Sequence, residues 1–136
     1  MRAGRVQHLA LIADDDFFIR NVVMKTLNGL CNFIETHDGA HLIELYKEHM
    51  PDIVFLDVHL PHVNGIDLVQ KIKKIDPDAF IVMLTSDSTQ ENLKRSMING
   101  AAGFISKPFI PRTVLANFKR CPFVHSENEE GEEASA

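Results

Sequence analysis

Short runs of apolar, strand-forming residues alternate along the chain with stretches whose apolar residues recur at helical spacing. The helical spacing is clear at Ile66, Val69 and Ile72, which would lie on one face of a helix. Five strand–helix units of this kind follow one another. The predicted strands cover 8–13, 32–36, 52–57, 79–84 and 102–106, and the predicted helices lie near 17–29, 40–49, 65–75, 89–99 and 112–120.

The strict alternation of strands and helices predicts an α/β fold with a parallel sheet. Parallel strands are covered by helices on both faces, which explains why the strand segments are almost continuously apolar. Five strands with right-handed crossovers favour a doubly wound, flavodoxin-like sheet with strand order 2-1-3-4-5. In such a sheet a ligand site is expected at the carboxyl ends of the strands.

The length and composition of the chain are those of an ordinary globular domain. It has 136 residues, of which 45% are apolar and 24% charged, so it can fold without a metal or disulfide. We predict one domain over 1–122 and a disordered acidic tail over 123–136. Cys31 and Cys121 are far apart and outside any CxxC motif, so we expect both thiols to be reduced.

Charge and hydropathy narrow the classes of function. The formal net charge is -5, which leaves no basic face for the phosphates of a nucleic acid, and we expect no such partner. No apolar run approaches the roughly 20 residues needed to cross a bilayer. The apolar run near the N-terminus is closed by three aspartates rather than by a signal-peptide cleavage site. We therefore expect a cytoplasmic protein without membrane contact.

Polar side chains follow four of the predicted strands. Asp14 and Asp15 follow the first strand, Asp57 ends the third, and Thr85 and Lys107 follow the fourth and fifth. Since the first and third strands are neighbours in a doubly wound sheet, the three carboxylates are expected to converge in one pocket. Carboxylates in one pocket repel one another unless a cation intervenes, and Mg²⁺ prefers such oxygen ligands.

A magnesium site of this kind leaves room for a phosphoryl group beside Asp57. A carboxylate can attack phosphorus and form an acyl phosphate, in a step that depends on positioning and positive charge. Mg²⁺ and Lys107 would supply the charge, and the Thr85 hydroxyl could donate a hydrogen bond to a phosphoryl oxygen. Asp57 is therefore the candidate nucleophile.

Four segments make the chain resemble the receiver domain of bacterial two-component response regulators, of the stand-alone chemotaxis type. They are 11-LIADDD-16, 52-DIVFLDVHLPHVNG-65, 81-IVMLTS-86 and 100-GAAGFISKPF-109, and the resemblance covers about residues 6–121. It implies that Asp57 is phosphorylated by a histidine kinase or a histidine phosphotransfer protein. It also implies a signalling protein that catalyses only its own phosphorylation and dephosphorylation.

The resemblance also implies a role for each residue of the metal site. Asp15 and Asp57 would bind Mg²⁺ directly, and Asp14 would act through a bound water. The backbone carbonyl of His59 would complete the protein ligands. Lys107 would pair with the phosphoryl group.

A conformational switch is implied as well. Thr85 would move toward the phosphoryl group and Phe104 would rotate inward behind it, although this position is often tyrosine in the family. The face built from the fourth helix, the fifth strand and the fifth helix would then change its downstream protein partner. This face would include Lys94, Arg95, Phe104 and Arg112. We expect a monomer or a weak dimer.

Several alternatives use parts of the same pattern. A phosphorelay intermediate, which passes the phosphate on to a histidine phosphotransfer protein, stays open. A phosphorylation-independent adaptor is disfavoured because every site residue is present. A haloacid-dehalogenase-like phosphatase would need a general acid where His59 stands, and a flavin carrier would need a Ser/Thr/Gly-rich loop in place of 14–16. These three aspartates could also be a simple cap of the first helix.

Overall fold

A computed structural model describes residues 7–61, 63–86, 90–108 and 110–124, without the side chains of residues 90–93. Strands and helices alternate through these residues, as the hydrophobic pattern predicts. None of the helices among them is long and apolar enough to cross a lipid bilayer.

The described residues contain the five predicted strand–helix units and, after the third strand, a short hairpin that was not predicted. The strands are β1 (His8–Ala13), β2 (Cys31–Thr36), β3 (Ile53–Asp57), β4 (His59–Leu60), β5 (Val63–Asn64), β6 (Ile81–Thr85) and β7 (Gly103–Ser106). The helices are α1 (Phe17–Thr26), α2 (Leu42–His49), α3 (Gly65–Ile75), α4 (Gln90–Ile98) and α5 (Pro111–Arg120).

The main sheet has five parallel strands in the order β2-β1-β3-β6-β7. The antiparallel strands β4 and β5 form the separate hairpin. Because the hairpin takes two places in the numbering, this order is the predicted 2-1-3-4-5. The predicted fold class, a doubly wound flavodoxin-like sheet, is therefore confirmed.

Three segment boundaries differ from the prediction by two or three residues. One is the start of helix α2, at Leu42 rather than near 40. Helix α1 ends at Thr26 rather than near 29, because the chain turns there and Gly29 adopts a φ of 85°. Strand β6 begins at Ile81 rather than 79, and it includes Thr85, which pairs in register with Ser106. The sequence pattern does not show the end of α1 or the start of β6, because apolar residues continue through the turn at 27–30 and through 79–80.

Helices cover both faces of the sheet, and each face has its own apolar core. Leu11 of β1 packs in a cluster with α2 and α3, whereas Ile12 packs in a cluster with α1 and α5. Strand β3 is buried at all five positions, since it lies at the centre of the sheet. Burying a large aliphatic or Phe side chain stabilises the fold by roughly 1.5–3 kcal/mol, so the apolar residues of β3 anchor the strand that ends on Asp57.

Both cysteines are free and buried, in agreement with the prediction of reduced thiols. Burial, with a smaller contribution from the nearby Asp52 carboxylate, raises the pKa of Cys31 to about 12. A thiol with so high a pKa carries almost no thiolate at neutral pH and is chemically inert.

The packed part of the chain extends two residues beyond the predicted domain boundary at residue 122. Val124 is 1% exposed and belongs to the core under α1 and α5, and Phe123 packs against that core. Both are large and apolar, so they gain more from burial than from solvation. The rest of the predicted acidic tail, 125–136, lies outside the described residues.

Candidate functional site

Asp57 is the last residue of β3 and is 4% exposed. The neighbouring strands β1 and β6 flank it on both sides, so its carboxylate lies at the carboxyl edge of the sheet. Its Oδ1 atom accepts a hydrogen bond from the backbone N–H of His59 at 3.0 Å. The carboxylate is therefore nearly buried and fixed in orientation.

The end of β1 brings two more carboxylates to this edge. Asp14 is fully buried, and its backbone N–H donates to the carbonyl of Thr36 at 3.2 Å, which extends the β1–β2 ladder. Asp15 is exposed. One carboxylate oxygen from each of Asp14, Asp15 and Asp57 lies within 4.8 Å of the others. The structure thus brings together the three acids that the sequence singled out.

Asp16, in contrast, belongs to the helix rather than to the acidic cluster. Its Oδ1 atom accepts a hydrogen bond from the backbone N–H of Phe18 at 2.8 Å, which makes it the N-cap of α1. An N-cap carboxylate satisfies one of the unpaired N–H groups of the first helical turn. Of the three aspartates at 14–16, therefore, only Asp16 caps helix α1.

Lys107 follows β7 and directs its ammonium group at the acids. Its Nζ atom lies 2.8 Å from Asp14 Oδ2 and 3.5 Å from Asp57 Oδ2. Its backbone N–H donates to the carbonyl of Thr85 at 2.7 Å, and the Lys107–Pro108 peptide bond is cis. Burial by itself lowers the pKa of Lys107, but the hydrogen bond and charge of Asp14 and the charge of Asp57 outweigh it and raise the pKa. The ammonium is therefore charged at neutral pH.

The positive charge of Lys107 does not balance the negative charges of the three carboxylates. Burial raises the pKa of Asp14, the hydrogen bonds from Lys107 and from the Asp16 N–H offset part of this, and the Asp57 charge raises it further. Within the described part of the chain, the buried Oδ2 atom of Asp14 contacts one polar group, the ammonium of Lys107 at 2.8 Å. A set of three converging carboxylates fits a hard divalent cation. Asp14, Asp15 and Asp57 would hold Mg²⁺ here.

We expect Asp14→Asn to gain stability over the parent protein, in metal-free buffer, as the pH rises. The folded-state pKa of Asp14 is raised above its ordinary value of 3.8, so ionisation favours the unfolded chain. The parent therefore loses stability relative to the variant as the pH rises above 3.8, the ordinary pKa of the carboxyl group. The loss is complete once the pH has passed the raised pKa of Asp14 in the folded protein. Urea unfolding with EDTA at a series of pH values measures this difference.

The control for this experiment is Asp67→Asn, which removes an exposed acid in the first turn of α3. Added Mg²⁺ should stabilise the parent more than Asp14→Asn, since a cation that binds only the folded state shifts the folding equilibrium. A difference between parent and Asp14→Asn that stays constant across the pH series would contradict the prediction.

Thr85 and Phe104 lie on adjacent strands but in different surroundings. Thr85 ends β6 and is 1% exposed. Phe104 lies on the edge strand β7, in register with Met83, and is 38% exposed. Gly103 and Ile105 of the same strand are buried, so the alternation of the strand directs Phe104 outward. The structure therefore places Thr85 at the carboxyl edge and Phe104 on the surface beside it.

The residues predicted for the output face are also exposed. Lys94 and Arg95 lie on α4, and Arg112 lies in the first turn of α5. Large apolar side chains on the same elements and their connection are exposed as well, namely Met97, Ile98, Phe104 and Ile110. This combination of apolar and basic groups is typical of a protein-binding surface.

His59 lies in the hairpin that follows Asp57, with its side chain exposed. Its backbone pairs with Asn64 across the hairpin, and its N–H is the group that holds Asp57 Oδ1. The hairpin therefore places the backbone of His59 directly against the Asp57 carboxylate.

Gly65 supports the site but received no role from the sequence. Its N–H donates to the carbonyl of Val58 at 2.9 Å. A Cβ atom at this position would collide with the carbonyl oxygen of Asp57 and lie 2.8 Å from the Cα atom of Val58. The signal in the sequence is the Asn64–Gly65 pair, in which Asn64 caps α3. Glycine is required because backbone approaches backbone behind Asp57.

Arg20 is the second supporting residue without a predicted role. Its Nη1 atom donates to the carbonyl of Asp14 at 2.6 Å, and its Nε atom donates to Glu35 Oε1 at 2.8 Å. No motif in the sequence links Arg20 of α1 with Asp14, six residues before it, or with Glu35 of β2, fifteen residues after it.

Comparisons with known proteins agree with this geometry. A protein-family model for the response regulator receiver domain matches residues 10–119. Chemotaxis protein CheY of Bacillus subtilis is 38% identical over 110 residues, which are 79% of this chain and 92% of that protein. CheY of Halobacterium salinarum is 36% identical over 106 residues, 77% of this chain and 88% of that protein.

Two solved structures resemble the chain in three dimensions. The CheX–CheY complex with BeF3 and Mg²⁺ from Borrelia burgdorferi matches with a TM-score of 0.78 and 30% sequence identity. The match covers 83% of this chain and 87% of that one. CheY4 of Vibrio cholerae matches with a TM-score of 0.79 and 26% identity, over 85% of this chain and 99% of that one.

Proposed function

The chain belongs to the response regulator receiver domain family, and we propose that it is a phosphoacceptor switch of two-component signalling. Asp57 accepts a phosphoryl group from a histidine kinase or a histidine phosphotransfer protein in a Mg²⁺-dependent reaction. One observation carries the proposal: the buried Asp57 carboxylate lies beside two further carboxylates and 3.5 Å from the ammonium of Lys107.

The chemistry of the transfer follows from these contacts. A carboxylate oxygen of Asp57 forms a bond to phosphorus while the phosphorus–nitrogen bond of the donor breaks, and the electron pair of that bond stays on the imidazole. The N–H of His59 holds the carboxylate in place, and Lys107 stabilises negative charge on the phosphoryl oxygens. Bound Mg²⁺ would supply further positive charge, held by Asp14, Asp15, Asp57 and the carbonyl of His59.

The switch that we propose connects the acceptor to the output face. Thr85 ends β6, directly after Leu84, which pairs in register with Asp57. In the proposed switch its hydroxyl moves toward the phosphoryl group. Phe104, on the next strand, has an exposed side chain that can rotate inward when Thr85 moves. Because Phe104 has no hydroxyl, the switch acts through packing. Its result is altered binding of a downstream protein by the face around Arg95 and Arg112.

A phosphorelay intermediate would use the same acceptor chemistry, and the two functions differ only in the partner that receives the signal. The protein is in either case a signalling protein whose catalysis acts on itself. The expected cytoplasmic location, the monomeric or weakly dimeric state and the lack of a nucleic-acid partner stay predictions. Size-exclusion chromatography with and without phosphodonor tests the oligomeric state.

We expect the protein to gain the mass of one phosphoryl group when it is incubated with acetyl phosphate and Mg²⁺, and none when EDTA replaces Mg²⁺. The cation is required because the three carboxylates otherwise repel the incoming phosphate. Intact-mass spectrometry measures the adduct. If no adduct forms under either condition, the chain is an adaptor that has kept the fold alone. Repeated turnover of a phosphomonoester such as p-nitrophenyl phosphate would instead indicate a phosphatase.

A further inference from the structure

One side chain holds the acidic loop that follows β1. The guanidinium of Arg20 donates to the carbonyl of Asp14 at 2.6 Å and to Glu35 Oε1 at 2.8 Å. Glu35 lies on β2, in register with Ile12 of β1. Arg20 therefore connects helix α1, the loop and the edge strand β2 across the end of β1.

The position of this guanidinium is well defined. The Arg20 side chain is 13% exposed, and its Cζ atom lies 5.7 Å from the centroid of the Phe17 ring. Its planar set of donors can serve two acceptors in fixed directions, which an ammonium group cannot do. Glu35 is 42% exposed, so solvent screens its attraction to Arg20. The contact therefore matters more for orientation than for stability.

The bond from Arg20 acts on the peptide group that precedes Asp15. Because a peptide group is planar, fixing the carbonyl of Asp14 fixes the direction in which the chain enters Asp15. The next peptide is also held, because the N–H of Asp16 donates to Asp14 Oδ1 at 2.9 Å. Asp15, the exposed acid of the cluster, thus lies between two anchored peptide groups.

We propose that Arg20 and Glu35 form a positioning pair for the divalent-cation site. The pair orients the Asp14–Asp15 peptide so that both carboxylates converge with Asp57, and neither member of the pair binds the cation. The inference rests on the metal site of the proposed function. Residues that orient metal ligands in this way typically change metal affinity by about 10–100-fold when they are removed.

The positive charge of Arg20 should lower the affinity for a divalent cation, whereas its positioning role should raise it. Because the two effects have opposite signs, an experiment can separate them. A cation near three carboxylates disfavours a second cation, so removal of its charge alone would strengthen divalent-cation binding. Loss of positioning would weaken it. The sign of the change in affinity for Arg20→Met therefore separates the two explanations. Arg20→Lys keeps the charge, so a change in its affinity reports the lost geometry.

The experiment is a Mn²⁺ titration of the unphosphorylated protein, with free Mn²⁺ measured by electron paramagnetic resonance. We expect the Kd to rise about tenfold for Arg20→Met and about threefold for Arg20→Lys. Glu35→Met should add no further loss in the Arg20→Met background if the two residues act as a unit. The control is Lys25→Met, which removes an exposed cation from the last turn of the same helix and should leave the Kd unchanged.

A Kd for Arg20→Met equal to or lower than that of the parent overturns the proposal, as does an additive effect of Glu35→Met. Circular dichroism and thermal unfolding identify any variant that does not fold. If Arg20→Met fails to fold, an unchanged Kd for the conservative Arg20→Lys overturns the proposal by itself. Failure of the proposed function is distinguishable, because the parent would then form no phosphoryl adduct while its Mn²⁺ affinity still depended on Arg20.

Discussion

Asp57→Asn is expected to lose the phosphoryl adduct completely while it keeps the fold. The amide that replaces the carboxylate is not a nucleophile, but its oxygen can still accept the His59 N–H that Asp57 Oδ1 accepts at 3.0 Å. The substitution also removes one of the clustered negative charges, so the folded state loses no stability in metal-free buffer. Intact-mass spectrometry after incubation with acetyl phosphate and Mg²⁺ measures the loss.

The matched control is Asp67→Asn, the same chemical change at an exposed acid of α3. This variant should form the adduct as the parent does. An adduct on Asp57→Asn at the parental level would place the acceptor elsewhere, and the neighbouring Asp14 and Asp15 would be the first candidates. Peptide mapping of the adduct identifies which of the two carries it.

Gly65→Ala is expected to destabilise the protein by about 2 kcal/mol or more and to slow adduct formation. The added Cβ meets the backbone of Asp57 and Val58, which cannot move aside as a side chain can. Helix α3 must shift, and the bond from Gly65 N–H to Val58 O at 2.9 Å is strained or lost. Because the shift occurs directly behind Asp57, the proposed acceptor, we expect both lower stability and slower phosphorylation. Urea unfolding measures the first and a time course of the adduct the second.

Gly103→Ala provides the control for Gly65→Ala. A Cβ at position 103 meets the ends of two side chains rather than backbone, namely Arg120 Nη1 and Asn117 Oδ1, each at 3.0 Å. Its cost should stay below about 1 kcal/mol, because such ends can move by a few tenths of an ångström. Equal costs for the two variants would show that α3 shifts freely and that its contact with β3 has no special role.

The acidic site lowers the stability of the folded protein. Its residues therefore differ from the apolar residues that burial would favour in a core. Asp14 is fully buried, and burial raises its pKa, so its ionised form is unfavourable in the folded protein. Lys107 compensates only part of this charge. Such a cluster is a poor choice for stability alone and is typical of a functional site.

Hydrophobic periodicity was sufficient to predict the architecture. Strand β3 reads as an unbroken apolar run because it is buried on both faces, and the spacing of Ile66, Val69 and Ile72 matches the buried face of α3. Since parallel strands end at the same edge, the residues after them could also be expected to meet. The convergence of Asp14, Asp15 and Asp57 follows from this rule, and the structure brings these carboxylates together.

Individual contacts, whether local or between distant segments, were not predictable in this way. The hairpin of His59–Leu60 and Val63–Asn64 is too short to leave a periodic signal. The need for glycine at position 65 depends on how closely α3 approaches the end of β3, which local sequence does not encode. Only the tertiary structure places the Arg20 guanidinium against the carbonyl of Asp14.

The sequence by itself determined the order of the strands and the acids that meet at their ends, because burial and chirality leave few ways to arrange five such units. The tertiary structure alone decided how those acids are oriented. Orientation depends on hydrogen bonds such as that from His59 N–H to Asp57 and on the 2.8 Å contact of Lys107 with Asp14. The Lys107 contact joins segments far apart in the chain, and the His59 bond depends on how the chain turns after β3. A shift of less than one ångström breaks either contact, whereas periodicity locates a residue only to within a turn or a strand step.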